Sequence, residues 1–291
     1  MKTLKNKKQY LIAALVVLAL AVLAVFVYQR IVSVEEEAVS FSFSGTGEEA
    51  DRVLEESSSM SKSQDENWWL NSGGVMNVSK NEFSTNMGEL PKKSSWRKLY
   101  DKNNSRDTDD GYHPQNIFRL VTKNRWEDLV QQVYFKIDAT NLSESEYRND
   151  SNGVLLFNRY QDGDNLYYTG LRVDGHAVIK KKIKDKYYTM AEKAVLTEKG
   201  KYDRNDNPNL IPEGVWIGIK SEVRSIGKDT VEIKFFVDKD GKGEWQLVLE
   251  AKDSGDKYGV DPIMAEGHAG IRTDFLDVIF RDYKIAENKR R

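Results

Sequence analysis

Asn158, Arg159, Tyr160, Tyr168 and Arg172 fall within one short stretch, "NRYQDGDNLYYTGLRVDG", residues 158–175. Their types combine three chemistries: rings that stack on the CH faces of sugars, an amide for hydroxyls, and guanidinium forks for carboxylates. Lys220, Glu222 and Arg224, in "KSEVR", add charges of both signs, and Lys180 and Lys182 supply more positive charge on a neighbouring run. Together these residues suit a groove for an acidic glycan. The same residues also suit a half-solvated sheet surface, because tyrosine favours strands for packing reasons alone.

Other chemistry has less to stand on. Asp107, Asp109 and Asp110, in "NNSRDTDDG", cluster carboxylates among amides, a pattern that fits a structural Ca²⁺ or a solvated loop. The turn "DKDGKGEWQLVL" begins like a calcium loop but carries Lys242 and Leu249 where acidic ligands belong. No motif calls for any other cofactor. His113, His176 and His268 are far apart in sequence and match no zinc-binding spacing. The chain has no cysteine, which excludes disulfides, thiol catalysis and thiolate-bound zinc.

The elements that must position these residues follow a period of two. Runs such as "VYFKIDAT", "GVLLFNRY", "LYYTGLRV", "HAVIKKKI", "VWIGIKSEV", "TVEIKFFV", "EWQLVLEA", "GHAGIRT" and "LDVIFRDYKI" alternate apolar and polar residues between Gly- and Asp-rich turns. Nine or so strands without a long amphipathic helix predict an all-β fold, an antiparallel sandwich of the jelly-roll type. Residues 185–214 read mainly as a long loop over a sheet edge. If a five-residue connection, 161–165, joins the two central strands, residue 160 lies opposite 166. Asn158 and Tyr160 then share a face with Tyr168 and Arg172, while Leu155, Phe157, Leu171 and Val173 share the other.

The N-terminal part has a different character. Residues 10–28 carry no charge, and as a helix they would span about 28 Å, close to the apolar thickness of a bilayer. The segmentation is a basic cytoplasmic segment 1–9, a transmembrane signal anchor 10–30, an acidic and Ser-rich spacer 31–66, the sandwich 67–286 and a basic tail 287–291. Lys2, Lys5, Lys7 and Lys8 precede the apolar run and place the N-terminus inside. That predicts a single-pass plasma-membrane protein whose C-terminal domain is extracytoplasmic. A cleaved signal peptide is the competing reading. The five basic residues of 1–30 leave a net charge of −7 on the rest of a chain whose total is −2, which argues against nucleic acid as a partner.

The runs "SNGVLLFNRYQDGDNLYYTGLRVDGHAVIKKK", "WIGIKSEV", "VEIKFFVDKDGKGEWQLVLEAKD" and "GHAGIRTDFLDVIFRDYKI" resemble, in order, the concanavalin A-like lectin and glucanase superfamily, including laminin G-like and 3-keto-disaccharide hydrolase domains. The resemblance covers roughly 67–286 and implies a glycan-facing role for Asn158, Arg159, Tyr160, Tyr168 and Arg172. Neither the E-x-D-x-x-E strand of family 16 glucanases nor the Q-I-H element of jelly-roll alginate lyases is present. Three readings stay open: a membrane-anchored carbohydrate-binding domain, a polysaccharide lyase or glycoside hydrolase of the same fold, and a structural or adhesive surface protein without a small ligand.

Overall fold

The computed structural model describes residues 52–79 and 82–288. The expected anchor at 10–30, the segment before it and residues 289–291 lie outside them. Among the described residues no helix is long and apolar enough to cross a membrane.

Alternation produces two sheets. One has eight strands in the order β1 (Arg52–Glu55), β3 (Val75–Val78), β4 (Glu82–Thr85), β15 (Leu276–Glu287), β6 (Leu129–Thr140), β11 (Ile217–Ile226), β12 (Thr230–Asp238) and β13 (Gln246–Ser254). The other has seven: β10 (Lys186–Ala194), β9 (His176–Ile183), β8 (Asn165–Arg172), β7 (Gly153–Asp162), β14 (Gly267–Asp274), β5 (Ile117–Trp126) and β2 (Trp68–Ser72). All pairings between these strands are antiparallel. Val133, Phe135 and Ile137 of β6 and Ile219 and Val223 of β11 meet Val154, Leu156, Tyr167 and Leu171 of β7 and β8 in one buried core. A sandwich results because each sheet has one apolar face to hide.

The helix α1 (Ser95–Asn104) starts at Ser94, whose hydroxyl accepts from the Arg97 amide. Its buried Tyr100 accepts from the Gly73 amide at 2.8 Å and donates to Glu56, which ties the helix to the turn between β2 and β3. Two stretches differ from the sequence reading. Residues 52–55, expected in the spacer, form β1 against β3, because Leu54 has a buried place in the core. Residues 186–194, expected mainly as loop, form the edge strand β10 against β9; a bulge between Thr189 and Ala191 breaks the alternation that would have marked it.

The central hairpin also departs from its expected register. Asp162 pairs with Asn165 across a two-residue turn, and beyond a bulge Asn158 faces Tyr167 and Phe157 faces Tyr168. Arg159 is the bulged residue, in left-handed backbone at φ 48°. Opposite it, a Cβ on Gly267 would stand 2.4 Å from the Arg159 carbonyl carbon, so glycine is what lets β14 approach. The bulge turns Tyr160 to the outer face beside Phe157 and leaves Asn158 pointing inward. Contrary to the expected pairing, Leu155 and Phe157 lie on the Tyr168 face, while Leu171 and Val173 belong to the core.

Asn158 and Arg159 are both fully buried. The Asn158 carbonyl accepts from Gln131 at 2.8 Å and Ser221 at 2.7 Å, and its amide donates to Thr169 at 3.2 Å. Arg159 donates to the carbonyls of Glu127 and Ile263, each at 2.7 Å, to Ser225 at 2.8 Å and to Asp128 at 3.1 Å. These bonds satisfy groups that would otherwise be costly to bury, and they fasten one sheet to the other.

Candidate functional site

Directly paired residues build the outer face of the seven-stranded sheet. One row runs Trp69, Val121, Gly270, Phe157, Tyr168 and Lys180; the next carries Arg119, Arg272, Leu155, Gly170 and Val178. Val121, Leu155, Phe157, Tyr160, Leu166, Tyr168 and Val178 form a second buried apolar cluster, separate from the core, with Met60 and Trp69 packed against it. The rings are fixed relative to one another: Phe157 stacks on Tyr160 with centroids 5.3 Å apart, and Tyr168 on Tyr187 at 6.1 Å. The floor is thus buried, while Tyr187 at its rim is 52% exposed.

Cations line this floor. Arg272 and Arg119 stand directly opposite each other on adjacent strands. Arg272 is held by Asp274, whose two oxygens each accept from its Nε at 2.9 Å, and it reaches the Tyr168 hydroxyl at 3.3 Å. Burial works against the Arg272 charge, but Asp274 and the neighbouring tyrosines more than offset this and raise its pKa. Among the described residues the Arg119 side chain has one long hydrogen bond, to the Ser72 hydroxyl at 3.4 Å. Lys180 has no hydrogen-bond or ion-pair partner among the described residues, and burial, reinforced by Arg172, pulls its pKa down. Lys182 is paired with Asp164 at 3.0 Å and Asp185 at 2.8 Å. Burial would raise the Tyr187 phenol, yet the charges of Arg272 and Lys182 reverse the direction and hold it below its ordinary value.

The residues singled out from the sequence fall in three places. Tyr160, Tyr168 and Arg172 share this outer face, with Arg172 at one end donating to Asp174 at 2.5 Å and Glu192 at 3.1 Å. Asn158 and Arg159 point into the sandwich. Lys220, Glu222 and Arg224 lie on the outer face of the eight-stranded sheet, because Ile219, Ser221 and Val223 between them are buried inside. Lys220 stands 3.9 Å from Glu222, and Arg224 is bound to Glu232. The one concavity that the sequence reading built from all eight residues therefore does not form: the two groups are on opposite sides of the molecule.

Arg119, Arg272, Tyr187 and Trp69 were missed. The signal available for Arg272 was "GHAGIRTDF", where the alternation already placed Arg272 opposite Ile271; nothing local pairs it with Arg119.

The acidic loop after α1 spends its carboxylates separately. Asp107 accepts from Ser145 at 2.5 Å, Asp110 from Ser105 at 2.5 Å, and Asp109 contacts His113 at 3.1 Å. Burial pushes Asp109 up, but its bonds to His113 and Ser143 outweigh that and lower its pKa. Among the described residues no group of three or more His, Asp or Glu side chains is placed to hold a metal ion. Of the two readings the sequence left open for Asp107, Asp109 and Asp110, a Ca²⁺ site or a loop, the contacts observed are those of a loop, with each carboxylate bonded to a different partner.

No family model matches the sequence, and no curated protein matches it. Similar solved structures include the carbohydrate-binding module CBM66 from Bacillus subtilis, at 13% identity and a TM-score of 0.42, covering 76% of this chain and 95% of that one. The exoplasmic/lumenal domain of VIP36, in a Ca²⁺- and mannose-bound form, shares 11% identity over 88% of this chain and 91% of its own, with a TM-score of 0.43. A prokaryotic β-1,3-1,4-glucanase (lichenase) derived from a mouse hindgut metagenome shares 10% identity over 87% and 98%, with a TM-score of 0.41. These likenesses are distant, and none of them bears on the chemistry of the outer face.

Proposed function

We propose that the chain is a concanavalin A-like jelly roll that binds acidic polysaccharide on the outer face of its seven-stranded sheet. The observation that carries this reading is the Arg119–Arg272 pair. Like charges directly opposite on a sheet repel, and Asp274 is bonded to only one of the two guanidiniums. A carboxylate or sulfate seated between them would relieve that repulsion with charge-assisted bonds. Tyr160, Tyr168 and Tyr187 beside the pair supply rings and hydroxyls for the sugar. The charge-free run at 10–28 supports an N-terminal membrane anchor that presents the domain at the outer surface of the plasma membrane.

Calorimetric titration with a soluble polyuronate tests the site. Arg119→Ala is expected to weaken binding roughly tenfold with an unchanged melting temperature, since its one bond is long and its side chain half-exposed. Unaltered affinity in that variant would remove the assignment.

A second reading, a polysaccharide lyase on the same face, is favoured by Tyr187. As the phenolate, favoured by a pKa below the ordinary value beside Arg272, Tyr187 would take the C5 proton of a uronate whose carboxylate the arginine neutralises; the C4–O4 bond breaks as C4=C5 forms, and the phenol returns the proton to the departing O4. Incubation with polyuronate separates the readings: the binder leaves the chain length of the polymer unchanged, whereas the lyase generates unsaturated ends that absorb in the ultraviolet.

A further inference from the structure

The opposite side of the sandwich carries a ladder that the proposed site does not use. On the outer face of the eight-stranded sheet, Gly218 pairs with Tyr134 on β6 and Asp238 on β12. Trp245 lies over the space that Gly218 leaves: a Cβ there would stand 2.7 Å from the indole. Trp245 and Tyr134 are 5.5 Å apart, so the rings form a fixed pair rather than two independent side chains. Lys220 lies 4.3 Å from the Phe236 ring centre and 5.2 Å from that of Trp245. Arg281 sits 4.2 Å over Trp216, and Lys136 lies 5.0 Å from the same ring.

The cations of this ladder have no close acceptor. Among the described residues Lys136 has no hydrogen-bond or ion-pair partner. Among the same residues the Arg281 side chain makes no hydrogen bond and its buried Nε is unsatisfied, with Asp282 at 3.6 Å, and Lys220 has only Glu222, at 3.9 Å. Cation–aromatic contacts hold the charges in place while leaving their donors unfilled. Half-buried rings flanked by unfilled positive donors complement a ligand with an apolar CH face and anionic groups along its length.

We infer that this strip is a second binding site for acidic polysaccharide, which makes the domain bivalent, with one site on each outer face of the sandwich. The ligand class rests on the reading of the first face; the strip's own geometry does not. Two sites facing opposite ways cannot close on one short oligosaccharide, so they bridge separate chains or distant parts of one chain.

Short oligouronates and a long polyuronate, titrated separately, test the inference. The native protein should bind two short oligomers per chain and cross-link the long polymer into light-scattering aggregates. Lys136→Gln combined with Lys220→Gln should reduce this to one site and abolish cross-linking; because Lys220 is only 17% exposed against its rings, an unchanged far-ultraviolet circular dichroism spectrum confirms that the variant is folded. Arg119→Ala should weaken the other site roughly tenfold and leave the strip's binding intact. If the lysine double variant keeps both sites and still cross-links, the inference is overturned. If Arg119→Ala has no effect while the lysine variant abolishes all binding, the strip stands as the binding site and the first face fails. Absence of binding by the native protein overturns both.

Discussion

The two outer faces of the sandwich carry similar residues arranged in opposite ways. On the seven-stranded face the rings of Phe157, Tyr160 and Tyr168 are buried as a floor, and Arg172, Lys182 and Arg272 each have carboxylate partners. On the eight-stranded face Tyr134, Trp216, Trp245 and Phe236 are half-buried, and Lys136, Lys220 and Arg281 rest on the rings, with carboxylates only at 3.9 Å for Lys220 and 3.6 Å for Arg281. A buried floor makes its rings part of the folding free energy, and among the described residues Arg119 and Lys180 are its cations without a carboxylate partner, the groups on which the proposed site depends. Half-buried rings contribute less to stability and leave more of their surface for a ligand. Similar residue types are therefore packed as a closed floor on one side and left partly open on the other, according to what covers them.

The largest effect expected from this contrast is on stability. Phe157→Ala should cost about 3–5 kcal/mol, because the ring is 1% exposed within a packed cluster. Phe236→Ala, across the molecule, should cost about 1 kcal/mol by its partial burial. Denaturant unfolding of both variants measures the difference, and equal losses would erase the distinction between floor and strip. Next in size is the roughly tenfold loss of polyuronate affinity in Arg119→Ala. That loss should shrink as salt is added, because the contact is partly exposed and is screened over about 8 Å at physiological ionic strength.

A smaller effect concerns Glu232, which anchors the charged end of the eight-stranded face. Burial raises its pKa, but hydrogen bonds from Lys252 and Arg224 outweigh this and lower it below the unfolded value. The stability it contributes is thus present above the unfolded carboxylate range and is lost as pH falls through the folded value. Glu232→Gln should lower stability by about 1 kcal/mol at neutral pH, since its partners are at the surface, and should flatten the acid side of the stability profile. The finest test is spectroscopic. The Tyr187 phenol should ionise below the ordinary value of about 10, and Arg272→Met should move it upward. Ultraviolet difference titration against Tyr187→Phe isolates the signal, and no movement would detach Tyr187 from the arginine.

Most strands were legible because their alternation is local. "VYFKIDAT" and "TVEIKFFV" already show which residues enter the core, and β6 and β12 bury Val133, Phe135, Ile233 and Phe235 accordingly. β10 escaped because a bulge interrupts its period and its face is largely polar, with little apolar patterning to read. The candidate site was harder. Tyr160, Tyr168 and Arg172 could be placed together from one hairpin, but Asn158 could not be placed correctly without the bulge at Arg159. That bulge depends on room left by Gly267, far along the chain.

The sequence by itself determined the class of the fold, the identity of most strands, and the concentration of Tyr, Arg and Lys in the hairpin and its neighbours. These follow from periodicity and composition, which act over a few residues. Only the tertiary structure decided that Arg119 meets Arg272, that Lys220 lies on the opposite side from Tyr168, and that Asn158 and Arg159 fasten the interior. Strand order and register bring residues together across long separations, and a single left-handed residue reverses which face a side chain takes.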